Sequence, residues 1–285
     1  MPFKLAIVKM GCIGSSPLLD FIFDERAECE NLEVRVFASG AKMDTNSCRT
    51  LIDYVREYKP DLVLLASPNA GLEGPSLARE VLREIGVYVI SISDAPSKKV
   101  WYAKDDGVKQ AVHVFEKQGF IIVPPDSMIG ARAEFLDPTE MVLFNSDILR
   151  VLANGGVIRA IQSLVGKVIS DISNAIQPDL PKITLDAEVA IEYANYQNPY
   201  AKAKAYASLK IAESVSGVTS EACFKRKDSH EYIPLTASGH ELMRAAAKLA
   251  DEAREVEKTQ DSVYRTPHGS DRRIKSKERL MDKPK

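Results

Sequence analysis

The first residues with chemical potential form a glycine-containing turn, Lys9-Met10-Gly11-Cys12-Ile13-Gly14-Ser15-Ser16-Pro17, which leads into the apolar stretch 18–23. Glycine at such a turn lets the backbone approach a ligand, and N–H groups at a helix start favour an anion such as a phosphate. Gly11 and Gly14 make a GxxG without the full G-x-G-x-x-G spacing, so the turn is half of a dinucleotide fingerprint. An NAD site also needs an Asp or Glu after the second strand to accept from the ribose hydroxyls. This chain has Phe37-Ala38-Ser39-Gly40-Ala41-Lys42 there. A neutral turn followed by Lys42 disfavours NAD and tolerates a phosphate; a glycine turn with a solvated lysine accounts for the same residues equally well.

Two more loops carry polar, proline-stiffened sequences, Ser67-Pro68-Asn69-Ala70-Gly71 and Ser93-Asp94-Ala95-Pro96-Ser97-Lys98-Lys99. Loops of this kind can set amides and hydroxyls against a flat heterocycle. Lys98 and Lys99 can hold an anionic tail or simply face solvent, and Asp94 also suits a helix cap. A fourth stretch, Pro124-Pro125-Asp126-Ser127-Met128-Ile129-Gly130-Ala131-Arg132, offers Met128, Ile129 and Gly130 to line a ring pocket. Arg132 can fix a carboxylate or carbonyl, or pair with Glu134 or Glu140. The histidines His113, His230, His240 and His268 are scattered, without HExxH or a Ser/His/Asp order, which argues against a hydrolase. Cys12, Cys29, Cys48 and Cys223 form no CxxC pair and read as reduced thiols rather than zinc ligands.

The scaffold for these loops is legible in apolar, β-branched runs beginning near Phe3, Glu33, Asp61, Val87 and Gly119, at intervals of 26 to 32 residues. That repeat is the length of a βαβ unit. Continuous apolar runs such as Leu62-Val63-Leu64-Leu65 suit parallel strands covered on both faces, with a ligand crevice at their carboxyl ends. Beyond Pro125 the signal becomes helical. Asp137-Pro138-Thr139-Glu140 opens a helix to about residue 152, with further helices over 157–176, 201–215 and 238–259. A short strand-like piece falls around Cys223-Phe224 and Tyr232-Ile233-Pro234. The expected architecture is α/β: a Rossmann-like parallel-sheet domain over 1–125, a helix bundle with a short β segment over 126–264, and a basic tail over 265–285. Ala-rich stretches in 194–212 and 245–247 suit close helix packing within or between subunits.

The chain has 285 residues, 45% hydrophobic and 27% charged, with a net charge of -2. This excludes a disordered chain and a basic coat for nucleic acid. The charge is uneven: residues 265–285 hold eight Lys and Arg against three Asp and Glu, a net +5 that leaves -7 on the rest. The apolar run at the N-terminus is too short for a membrane span or signal core, so a cytoplasmic protein without membrane attachment is expected.

The glycine turn, together with Asp24-Glu25-Arg26-Ala27, Ser39-Gly40-Ala41-Lys42-Met43, Ser67-Pro68-Asn69, Met128-Ile129-Gly130-Ala131-Arg132, Glu134-Phe135-Leu136-Asp137-Pro138, Asn198-Pro199-Tyr200-Ala201-Lys202-Ala203-Lys204 and Ala250-Asp251-Glu252-Ala253-Arg254-Glu255, resembles the archaeal coenzyme F420-dependent methylenetetrahydromethanopterin dehydrogenase family over almost the whole chain. Cys12 stands where that family often has Asn. The resemblance implies reversible hydride transfer between methylenetetrahydromethanopterin and C5 of the deazaflavin, giving methenyltetrahydromethanopterin and reduced F420, without metal, flavin or nucleic acid. Coenzyme F420 has a phosphate and an acidic glutamyl tail but no adenosine, in keeping with the missing ribose acid. Implied cofactor contacts are the backbone of Gly11, Cys12, Ile13, Gly14 and Ser15, the loop residues Ser67, Pro68, Asn69 and Pro96, and Lys42, Lys98 or Lys99 for the anionic tail. Met128, Ile129, Gly130 and Arg132 fall on the pterin side, and Asp94 or Asp126 is the carboxylate that faces the developing cation. A homo-oligomer, a hexamer built as a trimer of dimers, is implied as well. The basic tail is expected to fold near the crevice, from its own or a neighbouring subunit, and help retain both anionic ligands. The competing readings are an NADP-dependent dehydrogenase with Lys42 on the 2′-phosphate, and a non-enzymatic nucleotide-binding protein.

Overall fold

The structure, a computed structural model, describes residues 2–105, 108–111 and 115–285, with the backbone alone for 103–105 and 108–111. His113 lies outside the described residues. The chain divides into two compact units.

Unit 1 comprises Met1–Ile122, Ile161–Thr184 and His268–Ile274. Its sheet contains β1 (Phe3–Lys9), β2 (Leu32–Ala38), β3 (Leu62–Ser67), β4 (Tyr88–Ser93), β7 (Gln118–Ile122) and β8 (Lys182–Thr184), in the order β2-β1-β3-β4-β7-β8. Every pairing is parallel. A separate antiparallel pair, β5 (Tyr102–Asp105) with β6 (Val108–Ala111), precedes β7. The helices of this half are α1 (Ser16–Phe23), α2 (Thr45–Tyr58), α3 (Glu73–Glu84) and the one-turn α4 (Lys98–Trp101). Central β3 is buried at all six positions, as its unbroken apolar sequence requires. One sheet face presents Ala6, Val8, Val63 and Leu65 to Cys48, Ile52 and Val55 of α2 and to Ala78 and Leu82 of α3. Each large aliphatic side chain so buried contributes about 1.5–3 kcal/mol.

Unit 2 comprises Val123–Ala160, Leu185–Pro267 and Lys275–Lys285. It is built on α5 (Pro138–Asn154), α7 (Ala187–Ala194), α8 (Pro199–Phe224) and α9 (Ser229–Lys258), while α6 (Val157–Ser173) begins here and continues into unit 1. The helix starts are written in the sequence: Asp137, Asp186, Asn198 and Asp228 each accept a hydrogen bond from an amide of the first turn. Small residues let α8 and α9 approach closely; the Ser208 hydroxyl donates to the Ala246 carbonyl at 2.7 Å, and a Cβ on Gly239 would meet Thr219 at 2.7 Å. The Ala-rich stretches are thus largely spent on packing inside this unit, with Ala205, Ala212, Ala246, Ala247 and Ala250 at 0–1% exposure.

Three expectations are corrected. The strand-like piece at Cys223-Phe224 and Tyr232-Ile233-Pro234 is helical, at the end of α8 and the start of α9, because burial on the α8–α9 seam outweighs β propensity. The second half does contribute a parallel strand, the three-residue β8, which pairs with β7. One part of the tail also differs from expectation: His268–Ile274, the stretch within unit 1, packs at the amino ends of the strands. The His268 amide donates to Glu25 Oε1 at 3.0 Å, Arg26 donates to the His268 carbonyl at 3.2 Å, and the Arg272 guanidinium stands 6.0 Å from the Phe3 ring. The crevice lies at the other end of β1, about 20 Å along the strand.

Candidate functional site

At the carboxyl edge of the unit 1 sheet, three backbone bonds gather the predicted loops. The Met10 amide donates to the Ala66 carbonyl at 2.9 Å, Gly11 to Gly40 at 3.0 Å, and Ser39 to Lys9 at 3.0 Å. Gly11 adopts φ +77°, and a Cβ there would meet Met43 Sδ at 2.6 Å and Pro68 Cδ at 3.1 Å. Glycine is therefore required twice, for the left-handed backbone and for the approach of two neighbouring loops. Lys42 is exposed and its carbonyl accepts from the Ser39 hydroxyl at 2.6 Å. Gly11, Lys42 and Pro68 are thereby brought into one neighbourhood.

The amides expected to be available at the start of α1 are not. Ser16 N–H bonds to the Ile13 carbonyl, Leu18 N–H bonds to the Ser15 carbonyl, and Pro17 has no amide proton. Among the described residues no backbone hydrogen bond is seen for the amides of Cys12, which is exposed, and Ile13, which is buried.

The β3 and β4 loops are tied together through Ala70, whose amide donates to Ser97 Oγ at 2.9 Å and whose carbonyl accepts from Arg79 Nη1 at 2.5 Å. Asn69 Oδ1 accepts from the Gly71 amide at 2.9 Å, which fixes the side-chain plane and leaves Nδ2 as an oriented donor beside Ser67 and Pro68. Asp94 is fully buried, and its Oδ1 accepts from the Ala95 amide at 2.5 Å, capping the 3-10 turn Ala95–Ser97 that contains Pro96. Lys98 and Lys99 follow on α4 with no ion pair among the described residues.

The remaining predicted residues belong to unit 2. Asp126 is fully buried, and Ser127 Oγ donates to the Ala212 carbonyl at 2.7 Å. Thr219 Oγ1 donates to the Met128 carbonyl at 3.0 Å, and a Cβ on Gly130 would stand 2.7 Å from Thr236. Arg132 pairs with neither Glu134 nor Glu140. Its Nε and Nη2 donate to the Ala222 carbonyl at 3.1 and 2.9 Å, and Nη2 donates to the Arg226 carbonyl at 2.7 Å. The guanidinium lies 4.1 Å from the Tyr232 ring centre, and Tyr232 donates its hydroxyl to Glu134 at 2.6 Å, which holds that carboxyl below its ordinary value. The cation thus sits at the carbonyl end of α8, where the helix dipole favours it. Met128, Ile129 and Gly130 form a half-buried to buried ledge along α8.

The family model for methylene-5,6,7,8-tetrahydromethanopterin dehydrogenase matches residues 3–285. The chain belongs to this family. Among similar dehydrogenases, the F420-dependent methylenetetrahydromethanopterin dehydrogenase of Archaeoglobus fulgidus is 49% identical over 284 residues, covering 100% of both chains. That of Methanothermobacter thermautotrophicus is 46% identical with the same coverage. A solved structure of an F420-dependent methylene-tetrahydromethanopterin dehydrogenase in complex with methylene-tetrahydromethanopterin and coenzyme F420 matches with a TM-score of 0.91, at 40% identity and 100% coverage of both chains.

Arg79 and Thr219, which support predicted loops in unit 1 and unit 2 respectively, lie outside every stretch singled out from the sequence, and Met43, Ser97 and Ser127 lie within such stretches without a role assigned to them. Arg79 carried a signal, since it falls with Pro75, Ala78 and Leu82 on the buried stripe of α3. The others are ordinary residue types whose role depends on partners distant in sequence.

Proposed function

We propose that this chain catalyses reversible hydride transfer between methylenetetrahydromethanopterin and coenzyme F420. The observation that carries the reading is the full-length match, at a TM-score of 0.91, to a dehydrogenase solved with both of those molecules. The residues present fit the coenzyme. The turn after β2 lacks a ribose-binding acid, Asn69 presents an amide donor, and Cys12 is exposed on the glycine turn.

When bound, the deazaflavin supplies a two-electron hydride acceptor at C5. The backbone of Gly11 to Ser15 and the Ser67–Asn69 loop hold the cofactor side, and Lys42, Lys98 and Lys99 offer charge to its anionic tail. The ledge Met128, Ile129 and Gly130 holds the pterin, with Arg132 fixing the ledge to α8. As hydride leaves the methylene carbon, positive charge grows on the substrate's amidinium, and the carboxylate of Asp94 or Asp126 offsets it. The transfer itself needs no general base; the protein orients two rings and excludes water. The proposal extends to a homo-oligomer, a trimer of dimers, working in the cytoplasm.

Mixing the chain with methylenetetrahydromethanopterin and F420 should bleach the visible deazaflavin band. Reduction of NADP instead, with the F420 band unchanged, would overturn the assignment.

A further inference from the structure

Arg79 is a cation enclosed in unit 1, and the acid that acts on it electrostatically, Glu80, is exposed. Its residue exposure is 9%, and no carboxylate among the described residues lies within ion-pair distance. Nη1 donates to the Ala70 carbonyl at 2.5 Å and to the Pro75 carbonyl at 3.3 Å, while Nη2 donates to Ser76 Oγ at 3.4 Å. The guanidinium stands 5.0 Å from the Trp101 ring centre, and Trp101 stacks on Phe120 with ring centres 4.9 Å apart. Burial pulls its pKa down to about 10, so it remains charged at neutral pH. A buried charge held, among the described residues, mainly by carbonyls, a hydroxyl and an aromatic face is costly to maintain. Its principal hydrogen bond goes to the residue that anchors the β3 loop, where Pro68 meets the Gly11 turn.

We propose that Arg79 is a positioning residue for the cofactor side of the site, fixing the Ala70 carbonyl so that the Ser67–Gly71 loop presents its donors, and that its buried charge favours the anionic coenzyme there. The inference rests on the proposed function and names a residue through which that site favours an anion. Two consequences separate it from a packing role. A buried charge is screened by salt far less than exposed Lys98 or Lys99, so the contribution of Arg79 persists at high ionic strength. It also acts on one ligand only, because the Met128–Gly130 ledge has its own supports on α8.

The test uses Arg79→Met, Arg79→Gln and Arg79→Lys in the full chain. F420 binding is read by quenching of its fluorescence, which does not require turnover, alongside both Michaelis constants and the melting temperature. Arg79→Met and Arg79→Gln should weaken F420 binding about tenfold, equally at low and high salt, with the pterin KM held within about twofold. Arg79→Lys keeps the charge and should recover most of the loss, and it carries the test should the neutral variants fail to fold. Unchanged F420 binding in a folded neutral variant, parallel loss of both ligands, or a loss in Arg79→Lys as large as in Arg79→Gln would overturn the inference. Wild-type chain that binds F420 but does not oxidise the pterin would overturn the proposed reaction while leaving the role of Arg79 testable by binding alone.

Discussion

Replacing Gly11 by alanine tests whether the glycine turn serves the ligand or merely the chain's path. At φ +77° an L-residue pays about 1 kcal/mol in backbone strain. The added Cβ also falls 2.6 Å from Met43 Sδ and 3.1 Å from Pro68 Cδ. The Met43 side chain can swing aside, but the Pro68 ring belongs to the β3 loop and must take that loop with it. Gly40 supplies the control: its φ is +65°, and a Cβ there meets nothing within 4 Å. Gly40→Ala should therefore cost the strain alone, about 1 kcal/mol, or roughly 2–4 °C of melting temperature. Gly11→Ala should melt somewhat lower and, because its contact displaces the β3 loop, lower kcat/KM for F420 by about tenfold or more. Calorimetry and the deazaflavin absorbance assay read the two effects separately. Equal kcat/KM for F420 in the two variants would refute the argument that Gly11 is required for loop approach.

Arg132→Met should cost about 2 kcal/mol of stability by stripping the carbonyl end of α8, and should raise the pterin KM without changing F420 binding, measured by denaturation and initial rates. Asp94→Asn or Asp126→Asn should lower turnover more than either Michaelis constant, and full turnover in both would remove the electrostatic role assigned to these carboxylates. Alanine at Lys98 and Lys99 should weaken F420 about threefold at low salt and have little effect at high salt, read by titration across ionic strengths. His240 packs against Phe135 and Phe144, and burial holds its imidazole below the ordinary 6.5. The unfolded chain therefore takes up this proton first, so melting temperature should fall as pH drops below about 6.5, with a shallower fall in His240→Gln.

The parallel sheet was readable because the hydrophobic effect acts residue by residue: Leu62 to Leu65 suit a strand covered on both faces, and their place in the repeat of about 30 residues favours it over a helix. The helix starts were equally local, since Asp137 followed by Pro138 specifies its own geometry. Register and partner choice were not local. Nothing around Ser127 announces the Ala212 carbonyl, and nothing in Thr219 points to Met128. The Cys223 and Tyr232 stretches read as strand because β propensity is a weak prior, and the long seam between α8 and α9 overrode it. For Arg132 the residue was identified but its partners were not, because carbonyls at a helix end carry no sequence signature. The tail was read as a charge, whereas its placement depends on Glu25, Arg26 and Phe3, far away in the sequence.

The discontinuity of unit 1 bears on how the protein is made. When residue 122 leaves the ribosome, β7 has one neighbour, β4, and its other edge is bare until β8 at Lys182–Thr184 is synthesised. An uncovered edge strand is a template for pairing with another chain. The last piece of the unit, His268–Ile274, emerges later still, after the helices α7, α8 and α9. A nascent or truncated chain ending near residue 125 should therefore need a holding chaperone, whereas a chain that extends past Ile274 holds every piece of the unit.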